Sequence, residues 1–157
     1  VTNTADPFGE HVTPTESDTA ELGRSFGAQL EPGAVVLLSG ELGAGKTIFV
    51  RGLAQGLGVD PDDVHSPSFT LVNYYPAATP LYHIDLYRLD TGANAAYAVD
   101  LDEILQNEAA IVVIEWAERL GNFPLPPDHW TVEIVGDGDE PRKIAIMRNA
   151  SRFPTDY

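Results

Sequence analysis

Gly40-Glu41-Leu42-Gly43-Ala44-Gly45-Lys46-Thr47 is the stretch that decides how this chain folds. It reads Gly, four residues, Gly-Lys, then Thr, which is the pattern of a phosphate-binding loop. The residue types explain the pattern. Three glycines let the backbone curl until successive N–H groups point inward and make an anion-holding nest. Lys46 can reach the outer phosphates of a nucleotide, and the Thr47 hydroxyl can ligate Mg²⁺. The flanks give the loop its required setting. Ala34-Val35-Val36-Leu37-Leu38-Ser39 is a short apolar run of the kind found in buried parallel strands. Beyond the loop, Phe49, Val50, Leu53, Ala54 and Leu57 recur at helical spacing, and Gly58 stands where a helix stop is expected. A helix that starts at the loop adds the positive end of its dipole to the phosphate site. Strand, glycine loop and helix together predict a nucleotide-binding α/β protein.

The 157 residues suit one domain, 1–157, and the 43% hydrophobic content is enough for a real core. No apolar run approaches the roughly 20 residues needed to cross a membrane. No secretory pattern opens the chain, and there is no cysteine for a disulfide, a thiolate metal site or a nucleophile. A cytoplasmic protein is expected. Its net charge is −15, from 24 acidic and 9 basic residues. Such a surface repels nucleic acid and offers little counterion-release affinity, so unaided binding to RNA or DNA is not expected. The acidity serves solubility or the docking of a basic partner.

Outward from the loop, residues 1–13 carry no periodic pattern and read as a flexible arm. Thr15-Glu16-Ser17-Asp18 offers N-cap chemistry for a helix through about Leu30, with Leu22, Phe26 and Leu30 as its apolar stripe. That helix is expected to pack on the core, with contact to an adenine ring as the alternative. Thr70–Tyr75 and Leu81–Leu86 read as two strands across a five-residue connection, a hairpin, so the sheet is expected to be mixed. Before them, Ser66-Pro67-Ser68 reads as a turn or as a switch loop ordered by a terminal phosphate and its metal.

Alternation puts His83 and Asp85 on one strand face. Asp85 at a strand end near the phosphates can orient an attacking water or hold a metal-bound one. Arg88 can meet phosphate charge or pair with Asp90. Asp100–Leu105 starts a short helix, acidic in its first turn. Ile111-Val112-Val113-Ile114-Glu115 is four apolar residues ending in an acid at the strand's carboxyl end, where open α/β sheets bind ligands. It has the form of the second metal-site element, with Glu where Asp is usual. Trp116 is expected at the edge of the site or against a partner. Trp130–Val135 and Arg142–Met147 alternate at period two and read as a closing C-terminal hairpin. Residues 149–157 are expected to be flexible.

Four marks, in order and spacing, resemble the bacterial TsaE (YjeE) family of tRNA threonylcarbamoyladenosine synthesis. They are the loop 40–47, Ser66-Pro67-Ser68-Phe69, His83-Ile84-Asp85-Leu86-Tyr87-Arg88-Leu89, and Glu115-Trp116. The likeness runs from about Thr13 to Met147. The loop is common to many families, whereas the His-x-Asp-Leu-Tyr-Arg-Leu stretch followed by Glu-Trp is far more specific. The resemblance implies a small P-loop ATPase with a mixed, mostly parallel sheet flanked by helices, using ATP and Mg²⁺. It implies docking on the TsaD–TsaB heterodimer, with tRNA reached only through that complex and no role for a membrane.

Carried over by position, Gly40, Glu41, Leu42, Gly43, Ala44, Gly45, Lys46, Thr47 and Ile48 would bind the nucleotide. Thr47 and Glu115 would hold Mg²⁺, Ser66 and Ser68 would form the switch-like loop, and Asp85 would position the attacking water beside Lys46 and Glu115. The family usually has a second Thr where Ile48 stands, so a side-chain contact to the inner phosphates is lost while the backbone N–H remains. It also favours Thr at Ser68, which keeps the hydroxyl. Three other readings compete. A small-molecule kinase would want an Arg-rich lid, for which there is neither length nor an Arg cluster. A regulatory GTPase would want an Asn-Lys-x-Asp motif, and the lysines stand only at Lys46 and Lys143. A nucleotide-gated assembly factor without significant hydrolysis would use the same residues.

Overall fold

In the computed structural model, residues 7–41 and 43–149 are described. The chain runs β1 (Gly9–Thr13), α1 (Glu16–Gln29), β2 (Val35–Ser39), α2 (Lys46–Gly56), β3 (Val72–Tyr75), β4 (Leu81–Asp85), α3 (Ala93–Ala98), α4 (Leu101–Leu105), β5 (Ile111–Glu115), β6 (His129–Val135) and β7 (Arg142–Asn149). Single 3-10 turns sit at Pro61–Asp63 and Ala117–Leu120. The seven strands form one sheet in the order β1-β7-β6-β2-β5-β4-β3. Its centre, β6-β2-β5-β4, is parallel. Both flanks, β3 on β4 and β1-β7-β6, are antiparallel. This is the mixed sheet flanked by helices that the sequence led us to expect.

Alternation along the central strands sends side chains into two cores. On one face Val36, Leu38, Val113 and Leu81 pack against Phe26 of α1 and Phe49 and Leu53 of α2. On the other, Val35, Val112, Ile114 and Ile84 pack against Ala95 and Ala96 of α3 and Leu101 and Ile104 of α4. Strands buried on both faces lose the polar alternation of a surface strand, which is why β2 and β5 read as continuous apolar runs. No helix among the described residues is long and apolar enough to cross a membrane.

Helix α1 begins in a capping box. The Asp18 N–H donates to Thr15 Oγ1 at 3.1 Å, and the Thr15 N–H donates to Asp18 Oδ2 at 3.1 Å. Such a cap stabilises the helix by about 1 kcal/mol. Helices α1 and α2 then approach until their backbones touch. A Cβ added at Gly23 would sit 2.4 Å from Phe49 O, and one at Gly27 2.2 Å from Leu53 O. From the other side, a Cβ at Gly52 would sit 2.0 Å from Ala20 O, and one at Gly56 2.3 Å from Arg24 O. Each helix thus offers two glycines four residues apart, on one face, to the main chain of the other.

Three expectations need correcting. Residues 9–13 are no loose arm but strand β1, paired with β7 from Gly9↔Ile146 to Thr13↔Arg142; residues 1–6 and 150–157 lie outside the described residues, and Asn149 closes β7. The first strand of the inner hairpin starts at Val72 rather than Thr70, because Leu71 has φ 68°, a left-handed backbone that cannot continue a strand. The small-residue stretch ahead of the helix expected at Asp100 reads as a loop, but Ala93–Ala98 is helical, as α3. The closing C-terminal hairpin forms as expected, and β6 joins it to the centre of the sheet by also pairing in parallel with β2.

Candidate active site

Lys46 and Thr47 open helix α2, so the end of the loop is the start of the helix. Gly45 occupies the N-cap position with φ 99°, and Gly43 has φ 86°. Both are left-handed, where a side chain would cost roughly 1–2 kcal/mol. Such conformations let a loop curl its N–H groups into an anion nest, next to the unpaired N–H groups of the first helical turn. Lys46 Nζ donates to Gly40 O at 2.7 Å and lies 3.7 Å from Glu115 Oε1. The loop lysine is thereby held, buried, over the place where its ligand would sit. Leu42 lies outside the described residues.

The opposite wall comes from the ends of β4 and β5. Their register sets Asp85 beside Glu115 and His83 beside Val113. The side-chain period then sends His83, Asp85 and Glu115 to the α2 side of the sheet, and all three are buried. Glu115 Oε2 accepts from His83 Nε2 at 2.5 Å, which makes Nε2 the protonated nitrogen of that ring. His83 Nδ1 has no partner among the described residues. Asp85 Oδ1 accepts the Tyr87 N–H at 3.0 Å. Burial pushes the Asp85 carboxyl above the usual carboxylate range; the Tyr87 N–H opposes that shift, and the neighbouring Glu115 adds to it.

These walls enclose a cleft of 320 Å³ that brings together Gly43, Gly45, Lys46, Thr47, Ser66, Ser68, Asp85 and Glu115, closed at one edge by Tyr87 and Trp116. Ser66 Oγ and Ser68 Oγ share a hydrogen bond at 2.7 Å. Their segment is pinned from behind by the Asn73 side chain, which donates to His65 O at 2.9 Å. Trp116 lies at the site's edge, with Lys46 Nζ 5.3 Å from its ring centroid. The Arg88 guanidinium lies 4.4 Å over the ring of Phe69. Ile48 faces both this cleft and a second, smaller hollow of 170 Å³ beyond Gly45, lined by Thr13, Thr15, Glu16 and Arg142.

The donor set suits a hard divalent cation, which takes oxygen ligands. A hydroxyl (Thr47) and two carboxylates (Asp85, Glu115) line one cleft next to an anion nest. Two features escaped the sequence reading. The His83–Glu115 bond joins residues 32 apart, and only the face assignment of His83 hinted at it. Arg142 reaches the loop from 98 residues away, donating from Nε to Ala44 O at 2.8 Å, and nothing local to either segment signals that contact.

Comparison with known proteins finds similarity along most of the chain. Residues 13–144 match the family model described as Threonylcarbamoyl adenosine biosynthesis protein TsaE. A tRNA threonylcarbamoyladenosine biosynthesis protein TsaE from Treponema pallidum is 38% identical over 135 residues, covering 86% of this chain and 97% of that one. Its namesake from Streptomyces coelicolor is 39% identical over 142 residues, covering 86% and 93%. Among solved structures, Bacillus subtilis YdiB superposes with a TM-score of 0.69 at 30% identity, over 92% of this chain and 88% of that one.

Proposed function

The chain belongs to the TsaE family, and from that premise we propose that it is a Mg²⁺-dependent ATPase of the bacterial machinery that installs threonylcarbamoyladenosine beside the tRNA anticodon. The observation that carries this reading is one cleft holding the loop lysine, the Thr47 hydroxyl and two strand-end carboxylates in register.

In this reading the ATP phosphates settle on the loop N–H groups from Gly43 to Ile48, and Lys46 leaves Gly40 O to meet the outer phosphate. The base lies in the hollow beyond Ile48, beside Thr13 and Thr15. Thr47 and Glu115 hold the Mg²⁺, and His83 fixes which Glu115 oxygen faces the cleft, because the other is already bonded. The cation, when bound, spreads the charge that builds on the transferred phosphate. Asp85, aimed by the Tyr87 N–H, orients the attacking water, and its raised pKa brings it nearer the range of a useful base. Ser66 and Ser68 sense the terminal phosphate from the facing segment.

A chain of net charge −15 does not grip tRNA by itself. It acts in the cytoplasm on the TsaD–TsaB pair, and through that pair on tRNA. The test is ATP hydrolysis by the purified chain, alone and then with TsaD–TsaB and tRNA. Weak hydrolysis that rises with the partners is expected. Brisk hydrolysis indifferent to them, or phosphate passed to a small molecule, would overturn the reading.

A further inference from the structure

Curling the loop to point its N–H groups at a ligand turns its carbonyls the other way, where they need donors of their own. Arg142, at the start of β7, supplies them. Its Nε donates to Ala44 O at 2.8 Å and its Nη2 to Gly43 O at 3.3 Å. The same guanidinium holds the β6–β7 turn: Nη2 donates to Gly138 O at 3.0 Å, and Nη1 donates to Glu140 O. All four acceptors are main-chain carbonyls, two in the loop and two in the turn. The turn is itself closed by the Glu140 N–H on Asp137 O at 3.0 Å and by the Asp137 N–H on Glu140 Oε1 at 3.1 Å. Only a planar fork can serve both groups at once.

We propose that Arg142 is a positioning residue for nucleotide binding: it holds the phosphate loop in its anion-ready shape from behind and ties that shape to the 136–141 turn. This rests on the ATPase reading of the cleft. With its donors committed to carbonyls, Arg142 need not touch the reacting phosphate, so its loss should weaken binding and leave the chemical step alone. A ligand or partner that moves the turn would reach the loop through the same four bonds.

The experiment compares wild type, Arg142→Lys and Arg142→Ala by calorimetric titration with Mg-ATP, by kcat and KM, and by hydrogen exchange without nucleotide, with thermal midpoints measured for each. Expected are a Kd and KM about tenfold higher in both variants, about 1.4 kcal/mol, and kcat within about twofold of wild type. Exchange should speed at residues 43–46 and stay unchanged at 144–148. Lysine is expected not to rescue, because a single ammonium cannot replace the fork; should Arg142→Ala fail to fold, Arg142→Lys decides. Unchanged Kd in a folded variant, or faster exchange confined to β7, would overturn the inference. A wild-type chain that binds no ATP would instead overturn the ATPase reading, and the exchange rates at 43–46 would then decide the tie by themselves.

Discussion

The two walls of the cleft are made by different means. The loop wall is main chain: glycine conformations at Gly43 and Gly45 and the first turn of α2 place its N–H groups. The facing wall is side chain: Asp85 and Glu115 meet because β4 and β5 pair in one register, and a slip of one residue in either strand would turn its acid to the other face of the sheet. The first wall is therefore robust to most side-chain changes and intolerant of backbone ones. The second is the reverse. In functional terms, the difference predicts that nucleotide binding and hydrolysis can be lost separately.

The largest break should come at Lys46, the loop residue whose buried side chain carries the charge that meets the outer phosphate. Lys46→Ala is expected to lower ATP affinity and hydrolysis together, by 100-fold or more, and it leaves Glu115 without its nearest cation; calorimetry and phosphate release read both losses. Asp85→Asn comes next and should separate the walls. Hydrolysis falls about 100-fold while ATP affinity stays within about threefold. Normal hydrolysis in that variant would remove Asp85 from the chemistry, and a matching loss of binding would show that the walls act as one.

The same substitution carries a stability signature. Because burial raises the Asp85 pKa, the folded chain holds that proton more tightly than the unfolded one. The resulting stability is fully present below the ordinary carboxylate range and is lost as pH rises through the raised value. Thermal midpoints measured across that window should therefore favour Asp85→Asn over wild type increasingly as pH rises. The smallest expected effect is at Ile48. Ile48→Thr restores a hydroxyl at the seam of the two hollows and should tighten ATP binding by about threefold, in line with one modest hydrogen bond.

Legibility in the sequence follows the same division. The loop wall is contiguous, so eight residues and their flanks revealed strand β2, the loop and helix α2. The acids Asp85 and Glu115 were found as strand-end residues, but the His83–Glu115 bond was not, because it depends on a pairing that no local pattern encodes. Strand β1 was missed because only one side chain of Gly9–Thr13, Thr13, is buried, so there is no apolar alternation to read; its partner β7 lies at the other end of the chain. Gly23, Gly27, Gly52 and Gly56 count against a helix by propensity, and their purpose exists only where two helices meet. Arg142 was read as an ordinary residue of the closing hairpin for the same reason.

The glycine seam between α1 and α2 also bears on motion. Helices that ratchet past one another do so by moving side chains from one set of holes to the next. At its closest approach this seam is main chain: the carbonyls of Ala20, Arg24, Phe49 and Leu53 already lie where a single Cβ would collide. Helix α2, and with it the floor of the phosphate site, is held against α1 as a fixed anvil. On the proposed ATPase reading, any travel during turnover would be taken up on the other side of the cleft, in the 66–71 segment. There Phe69 is 84% exposed and Leu71 is already turned into a left-handed backbone.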